Sequence, residues 1–365
     1  MSRNTENIIV PNPNMLTRRS VVKAVGAGIT TSICSPFWSS AANAASKVPF
    51  GVAVHLDPFR NEPVFRELLK QHAELIVPMN ALKWASLRHT KGKFDFGGAD
   101  EIIGFAEAHN KSLHGHTLLW YNANPKWVEA ITSARELERL LIEHIETVVG
   151  RYAGRIAAWD VVNEVVAHDP LTQGKWRNGV WQNVLGPRHV EIAFAAAAKA
   201  DPKCRLFIND YDLEDDSLRT EARQRAVLQI VRRLQKKNIP IHGVGLQAHL
   251  YAERRTGREN LIKFVREVKS LGLEVAVTEL DVIDWKLNPD PTVRDRAVLA
   301  TVREFLDAIT EAGTVRNITT WGLSDKHSWI KDVFPRSDNA KARPLPFDAQ
   351  WQPKPLFDLI KQYTL

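Results

Sequence analysis

Residues 155–165 read RIAAWDVVNEV, and this stretch decides the fold. Ile156, Ala157, Ala158, Trp159, Val161 and Val162 form the near-continuous apolar run of a strand covered on both faces. The run then closes on Asn163 and Glu164, side chains whose burial is unfavourable unless partners or chemistry require it. A strand that is apolar along its length and polar at its C-terminal tip fits a parallel sheet whose strand ends converge on one site.

Seven further runs repeat the pattern, at Val48–His55, Leu75–Asn80, Ser112–Trp120, Arg205–Tyr211, His242–Leu250, Glu274–Val282 and Asn317–Asp325, with the first stretch spanning Ile156–Glu164. Between them lie segments of helical period. In residues 216–238, Val227, Ile230, Val231 and Leu234 share one face. Residues 134–154 and 295–313 repeat the helical pattern, the latter stopped by Gly313. Eight strand–helix units make either a doubly wound sheet or a closed barrel. No strand leads into a G-x-G-x-x-G turn, against a dinucleotide-binding sheet. The expectation is α/β class, a single (β/α)8 TIM barrel over residues 46–365.

Residues 1–45 read as a leader. Arg18 and Arg19 precede an apolar run to Ile33 and the small residues Ala42, Asn43 and Ala44, the pattern of a twin-arginine signal peptide with an A-x-A cleavage site. Export to the periplasm or the medium is expected, with no stable membrane insertion after cleavage. The whole chain carries +7; the leader holds +3 of it, leaving +4, and no basic run with interleaved aromatics points to nucleic acid. Cys34 falls in the leader, so Cys204 has no intramolecular partner. Eleven Trp against five Tyr is an unusual balance, and exposed indoles make flat platforms for sugar rings.

Polar residues collect at the strand ends: Asn80 with Lys83, His116 and Trp120, Asn163 and Glu164, Asn209 and Tyr211, Gln247 and His249, Glu279 and Asp281, Trp321 and Trp329. In a barrel all of these meet at one mouth. Glu164 and Glu279, on strands four and seven, suggest the carboxylate pair of glycoside hydrolysis; a separation of about 5–5.5 Å predicts retention of configuration. The rival reading starts from His114 and His116, two apart on one strand face, and adds His249 and Asp325 as ligands of a metal-dependent hydrolase. That reading leaves the glutamates and the aromatic rim idle. A glycan-binding barrel without turnover and a β-glycanase on another polysaccharide are the remaining alternatives. No cofactor or metal is expected.

The motifs GHTLLW (115–120), WDVVNE (159–164), INDYD (208–212), GVGLQAHL (243–250), VTELDV (277–282), TTWGLSDKHSW (319–329) and PLPFDAQWQPKP (344–355) together resemble glycoside hydrolase family 10, the retaining endo-β-1,4-xylanases. The resemblance implies Glu164 as general acid/base, Glu279 as nucleophile and Asn163 on the sugar 2-hydroxyl. It implies His249 and Asp281 as partners of Glu279; His116, Asn80, Lys83 and Gln247 on the glycone side; Trp120, Trp321 and Trp329 as sugar platform; and Tyr211 on the aglycone side. A monomer acting on xylan or xylo-oligosaccharides is expected. The departures are Met79 where the family has Glu, Tyr121 and Ala123 where it has Trp-His-Ser-Gln, and Asp212 where it has Asn. Met79 predicts an altered distal glycone subsite, unless other polar side chains fill in around it.

Overall fold

The computed structural model describes residues 48–364. Its strands are β1 (Phe50–Val54), β2 (Leu75–Pro78), β3 (Ser112–Trp120), β4 (Ala158–Asn163), β5 (Arg205–Asp210), β6 (Gly243–Leu246), β7 (His249–Tyr251), β8 (Glu274–Ile283) and β9 (Ile318–Thr320). Each pairs in parallel with its neighbours, β1 with β9 and β6 with β8, so eight of them close into the expected ring. The leader expected over residues 1–45 lies outside the described residues.

The ninth strand is a correction. The run expected over His242–Leu250 is broken in two at Gln247 and Ala248, where Ala248 takes a left-handed φ of 58°. Beyond the break β7 rejoins the sheet farther along β8, with His249 opposite Asp281. The run expected over Asn317–Asp325 is also shorter, because Gly322 turns the chain with φ 111°. Asp325 sits in a 3-10 turn, and Trp329 follows that turn rather than ending a strand. At its start the fourth run loses Ile156 and Ala157, and the first ends before His55.

The helices form where apolar spacing and caps agree. Ser133 accepts a hydrogen bond from the Glu136 amide and Ser217 from the Thr220 amide, opening helices Ala134–Arg151 and Leu218–Lys236. Asp290 opens helix Pro291–Ala312, four residues before the expected start. Val227, Ile230, Val231 and Leu234 are buried, as the spacing predicts. Apolar side chains between strands and helices form the main core. The barrel interior is narrower and mixed. Ala158, Phe207 and Ala276 pack together inside it, and Leu75, Val77 and Met79 point inward from β2 and its end by period-two alternation.

Along β4 that alternation is interrupted. Pairing with both neighbours slips after Asp160, so Val161 and Val162 both pack outward and Asn163 turns inward. A bulge of this kind re-aims a side chain at the rim of a barrel.

Candidate active site

Glu164 follows the bulge in a left-handed conformation, φ 53°, with its amide donating to the Asn209 carbonyl at 2.9 Å. Three other non-glycine residues with positive φ, Ala123, Asp212 and Ala248, follow strands at the same mouth. Such conformations cost of order 1 kcal/mol or more each and persist where surrounding structure fixes them.

A chain of amides joins the two glutamates. Asn209, fully buried at the end of β5, donates through Nδ2 to Glu279 Oε1 at 2.7 Å and to Asn163 Oδ1 at 2.9 Å. Gln247 donates through Nε2 to Asn163 Oδ1 at 3.1 Å and to Glu164 Oε1 at 3.2 Å. Asn163 itself donates to Glu164 Oε1 at 3.3 Å. Thr278 Oγ1 donates to Asn209 Oδ1 at 2.7 Å and so fixes which way that amide points. Glycine at 245 gives the amide its room: a Cβ there would stand 2.2 Å from Asn209 Oδ1.

The second oxygen of Glu279 lies 3.3 Å from His249 Nε2, and His249 Nδ1 lies 2.8 Å from Asp281. Asp281 also accepts from the Trp329 indole at 2.7 Å. Burial works against a charged His249, but the carboxylates of Asp281 and Glu279 outweigh it and raise its pKa well above the ordinary value. The pKa of Glu164 is also raised, which for a carboxyl favours the neutral form. Burial is the main cause and the charge of Glu279 adds to it, against the pull of the nearby Trp120 indole and the Gln247 amide.

On one wall Lys83 donates to Asn80 at 2.9 Å and stands 4.6 Å from the Trp120 ring and 5.8 Å from Trp321. Its pKa is lowered by burial, against the pull of Glu279 and Glu164. His116 packs edge-on to Trp321 and places Nδ1 2.9 Å from Asp160, leaving Nε2 for the cleft. His114 Nε2 lies 2.9 Å from the other Asp160 oxygen. Burial disfavours the Asp160 carboxylate, yet His114 and His116 hold its pKa well below the usual range. The metal set considered from sequence does not converge, since Asp325 is paired in the interior with Lys354 and accepts from the Leu345 amide.

Opposite, Tyr211 accepts from Arg177 and lies 2.8 Å from His168 through its hydroxyl. Arg177 lies over the rings of Tyr121 and Tyr211 and donates to the Glu164 and Val166 carbonyls. Asp212 takes its left-handed position paired with Arg219. Met79 belongs to a small apolar cluster with Ala53, Leu75, Val77 and Trp321, and Trp329 packs against that cluster. Glu164, Glu279, Asn163, Gln247, Lys83, His116, His249, Tyr211, Trp120, Trp321 and Trp329 all line one cleft that is open to solvent. Asn80 and Asp281 stand behind it, each holding a lining residue. Asn209, Thr278 and Arg177 belong to the site although sequence reading gave them no role. Position at or beside a polar strand end was the available signal for Asn209 and Thr278. Arg177 lies in a loop without periodicity and offered none.

Comparison with known proteins agrees with this geometry. The family model described as Glycosyl hydrolase family 10 matches residues 39–363. Endo-1,4-beta-xylanase A of Caldicellulosiruptor sp. (strain Rt8B.4) is 36% identical over 324 residues, covering 83% of this chain and 44% of that protein. The Beta-1,4-xylanase of Dictyoglomus thermophilum is 35% identical over 323 residues, covering 85% and 87%. Among solved structures, xylanase 10B from Thermotoga petrophila RKU-1 in complex with xylobiose superposes with TM-score 0.79 at 28% identity, covering 87% of this chain and 94% of that one.

Proposed function

The chain belongs to glycosyl hydrolase family 10, and we propose that it is a retaining endo-β-1,4-xylanase. The observation that carries the reading is the pair Glu164 and Glu279, oriented across the barrel mouth by a chain of amides, with burial and the charge of Glu279 keeping the Glu164 carboxyl protonated against the pull of the Gln247 amide. Glu164 gives its proton to the glycosidic oxygen as the Glu279 carboxylate attacks the anomeric carbon; the bond to the leaving sugar breaks and an ester to Glu279 forms. With Glu279 uncharged, the acidity of Glu164 rises. It then takes a proton from water, the water oxygen bonds the anomeric carbon, and Glu279 leaves as carboxylate. Asn163, held at Oδ1 by two amides, presents its Nδ2 side toward Glu164 and the sugar 2-hydroxyl. Trp120, Trp321 and Trp329 pack the sugar faces, and Tyr211 receives the leaving chain.

The glycone side departs from the family at its distal end, because Met79 offers no acceptor for sugar hydroxyls. The place of Met79 in an apolar cluster with Trp321 and Val77 supports an altered subsite there. The protein acts as a monomer on a xylan-type chain, needs no cofactor, and is exported through the twin-arginine pathway to the periplasm or medium, supported by Arg18, Arg19 and the run that follows.

Hydrolysis of xylan and xylo-oligosaccharides by the wild-type protein and Glu279→Ala tests the proposal. Cleavage of internal bonds by wild type, retained anomeric configuration in the first product and an inactive variant are expected. Inverted product or intact xylan would overturn the assignment.

A further inference from the structure

One buried acid near this site has no part in the chemistry above. Glu214, only 5% exposed, lies in the loop after β5, and its two oxygens accept from backbone amides: Oε2 from Leu213 at 2.7 Å and Oε1 from Ala248 at 3.0 Å. Ala248 is the left-handed residue that breaks the sixth strand. Its two neighbours in sequence are Gln247, bonded to Asn163 and Glu164, and His249, bonded to Glu279 and Asp281. Residues two apart in a straight strand already point to the same face. What the left-handed turn at Ala248 changes is the register, which places His249 opposite Asp281 on β8 instead of one position earlier, while Gln247 stays on Glu164.

Other bonds hold the pieces around that amide. The Gln247 carbonyl accepts from Glu279 at 3.0 Å and the Ala248 carbonyl from Asp281 at 3.3 Å, so the break is tied to β8 on one side. On the other side, Glu214 provides the side-chain acceptor for its amide. The loop that carries Glu214 is docked in turn. Gly257 donates to the Glu214 carbonyl at 2.9 Å and approaches so closely that a Cβ would stand 2.6 Å from the Asp215 and Asp216 backbone. Gln224 donates to the Leu213 carbonyl at 2.8 Å.

We propose that Glu214 is a positioning residue: by holding the Ala248 amide it fixes the break in the sixth strand and thereby aims Gln247 at the acid/base and His249 at the nucleophile. The inference rests on the reading of Glu164 and Glu279 given above. A raised pKa of about 7, caused by burial and opposed by the two backbone amides, is consistent with an acid placed for geometry rather than for charge at the surface.

Two variants and two readings test it. Glu214→Leu removes both acceptors, while Glu214→Gln keeps one for Ala248. Glu214→Leu should lower kcat on xylotetraose on the order of 10- to 100-fold with KM within about twofold, and Glu214→Gln should stay within about fivefold of wild type. The downfield N–H proton signals of His249, assigned by their loss in His249→Asn, should shift or vanish in Glu214→Leu and persist in Glu214→Gln. Wild-type kcat together with unshifted His249 signals in Glu214→Leu would overturn the proposal. If Glu214→Leu does not fold, Glu214→Asp, one methylene too short to reach Ala248, is read in the same two ways. If wild type leaves xylan uncut, the substrate reading fails, and the His249 signals still decide the role of Glu214.

Discussion

Substituting Gly245 by alanine should disable the site without touching any residue that meets substrate. The added methyl carbon would lie 2.2 Å from Asn209 Oδ1 and 3.0 Å from Asn209 Cγ and Thr278 Cγ2. An ordinary carbon–oxygen contact is over 3 Å, so the amide must retreat by roughly 1 Å. It has nowhere free to go. Asn209 is fully buried and held by Thr278 on one side and by Asn163 and Glu279 on the other. Overpacking of this kind destabilises by about 1–3 kcal/mol, which lowers Tm by a few degrees in a domain of this size. The larger effect is on rate. A displacement of about 1 Å in a group that orients the reacting centre is worth on the order of 100-fold. Steady-state hydrolysis of xylotetraose beside a thermal melt separates the two. Asn209→Ser, which removes the obstructing amide, supplies the control. The double variant Gly245→Ala, Asn209→Ser should be no slower than Asn209→Ser alone, since the two changes act through one contact. Full activity in Gly245→Ala, or additive losses in the double variant, would refute the argument.

Glu279→Gln removes a charge that raises the pKa of Glu164, so the Glu164 carboxyl should titrate lower in that variant than in wild type; carboxyl NMR titration reads the shift, and an unchanged pKa would contradict the coupling. Met79→Glu, in a Glu279→Ala background, should tighten xylobiose binding by roughly 10-fold or more, the worth of a charge-assisted bond of about 1.5–3 kcal/mol; calorimetry showing no gain would count against the altered subsite. Glu214 has a raised folded pKa of about 7 against 4.5. Its contribution to stability is therefore fully present below about pH 4.5 and is lost as pH rises through 7, by about 3 kcal/mol in total. Urea unfolding of wild type should be steeper over that window than that of Glu214→Gln, and parallel pH profiles would contradict the assignment.

Much of this was legible in the residues themselves. Apolar runs ending in polar pairs located all eight barrel strands, and the period of residues 216–238 located a long helix face. Those patterns are local, and local patterns survive in sequence. The break at Ala248 was not legible, because alanine does not announce a left-handed turn; the acceptor that holds it, Glu214, is 34 positions away in sequence. The same is true of Asn209. Its place in INDYD marked a polar strand end, yet its partner at Glu279 is 70 positions distant, and only closure of the ring brings the two together. The slip in β4 also escaped the pattern, since strict alternation would have placed Val162 inward where Asn163 now stands. Asp212 shows the reverse case. The sequence marked it only as a departure from the family, and the structure gives it a partner, Arg219, that the sequence did not single out.

The closure of the ring by β1 against β9 has a kinetic consequence. The four hydrogen bonds by which Asn209 and Gln247 link Asn163, Glu164 and Glu279 span 46, 70, 83 and 84 positions of chain, and none of these four forms within a single strand–helix unit. Contacts of long sequence separation form late, because the entropy of closing large loops precedes their reward. A partly folded chain can therefore hold most of its helices and several paired strands while its two glutamates remain unconnected. Recovery of hydrolysis during refolding should lag recovery of helical signal, and the lag measures the time the final strands take to seal the cylinder.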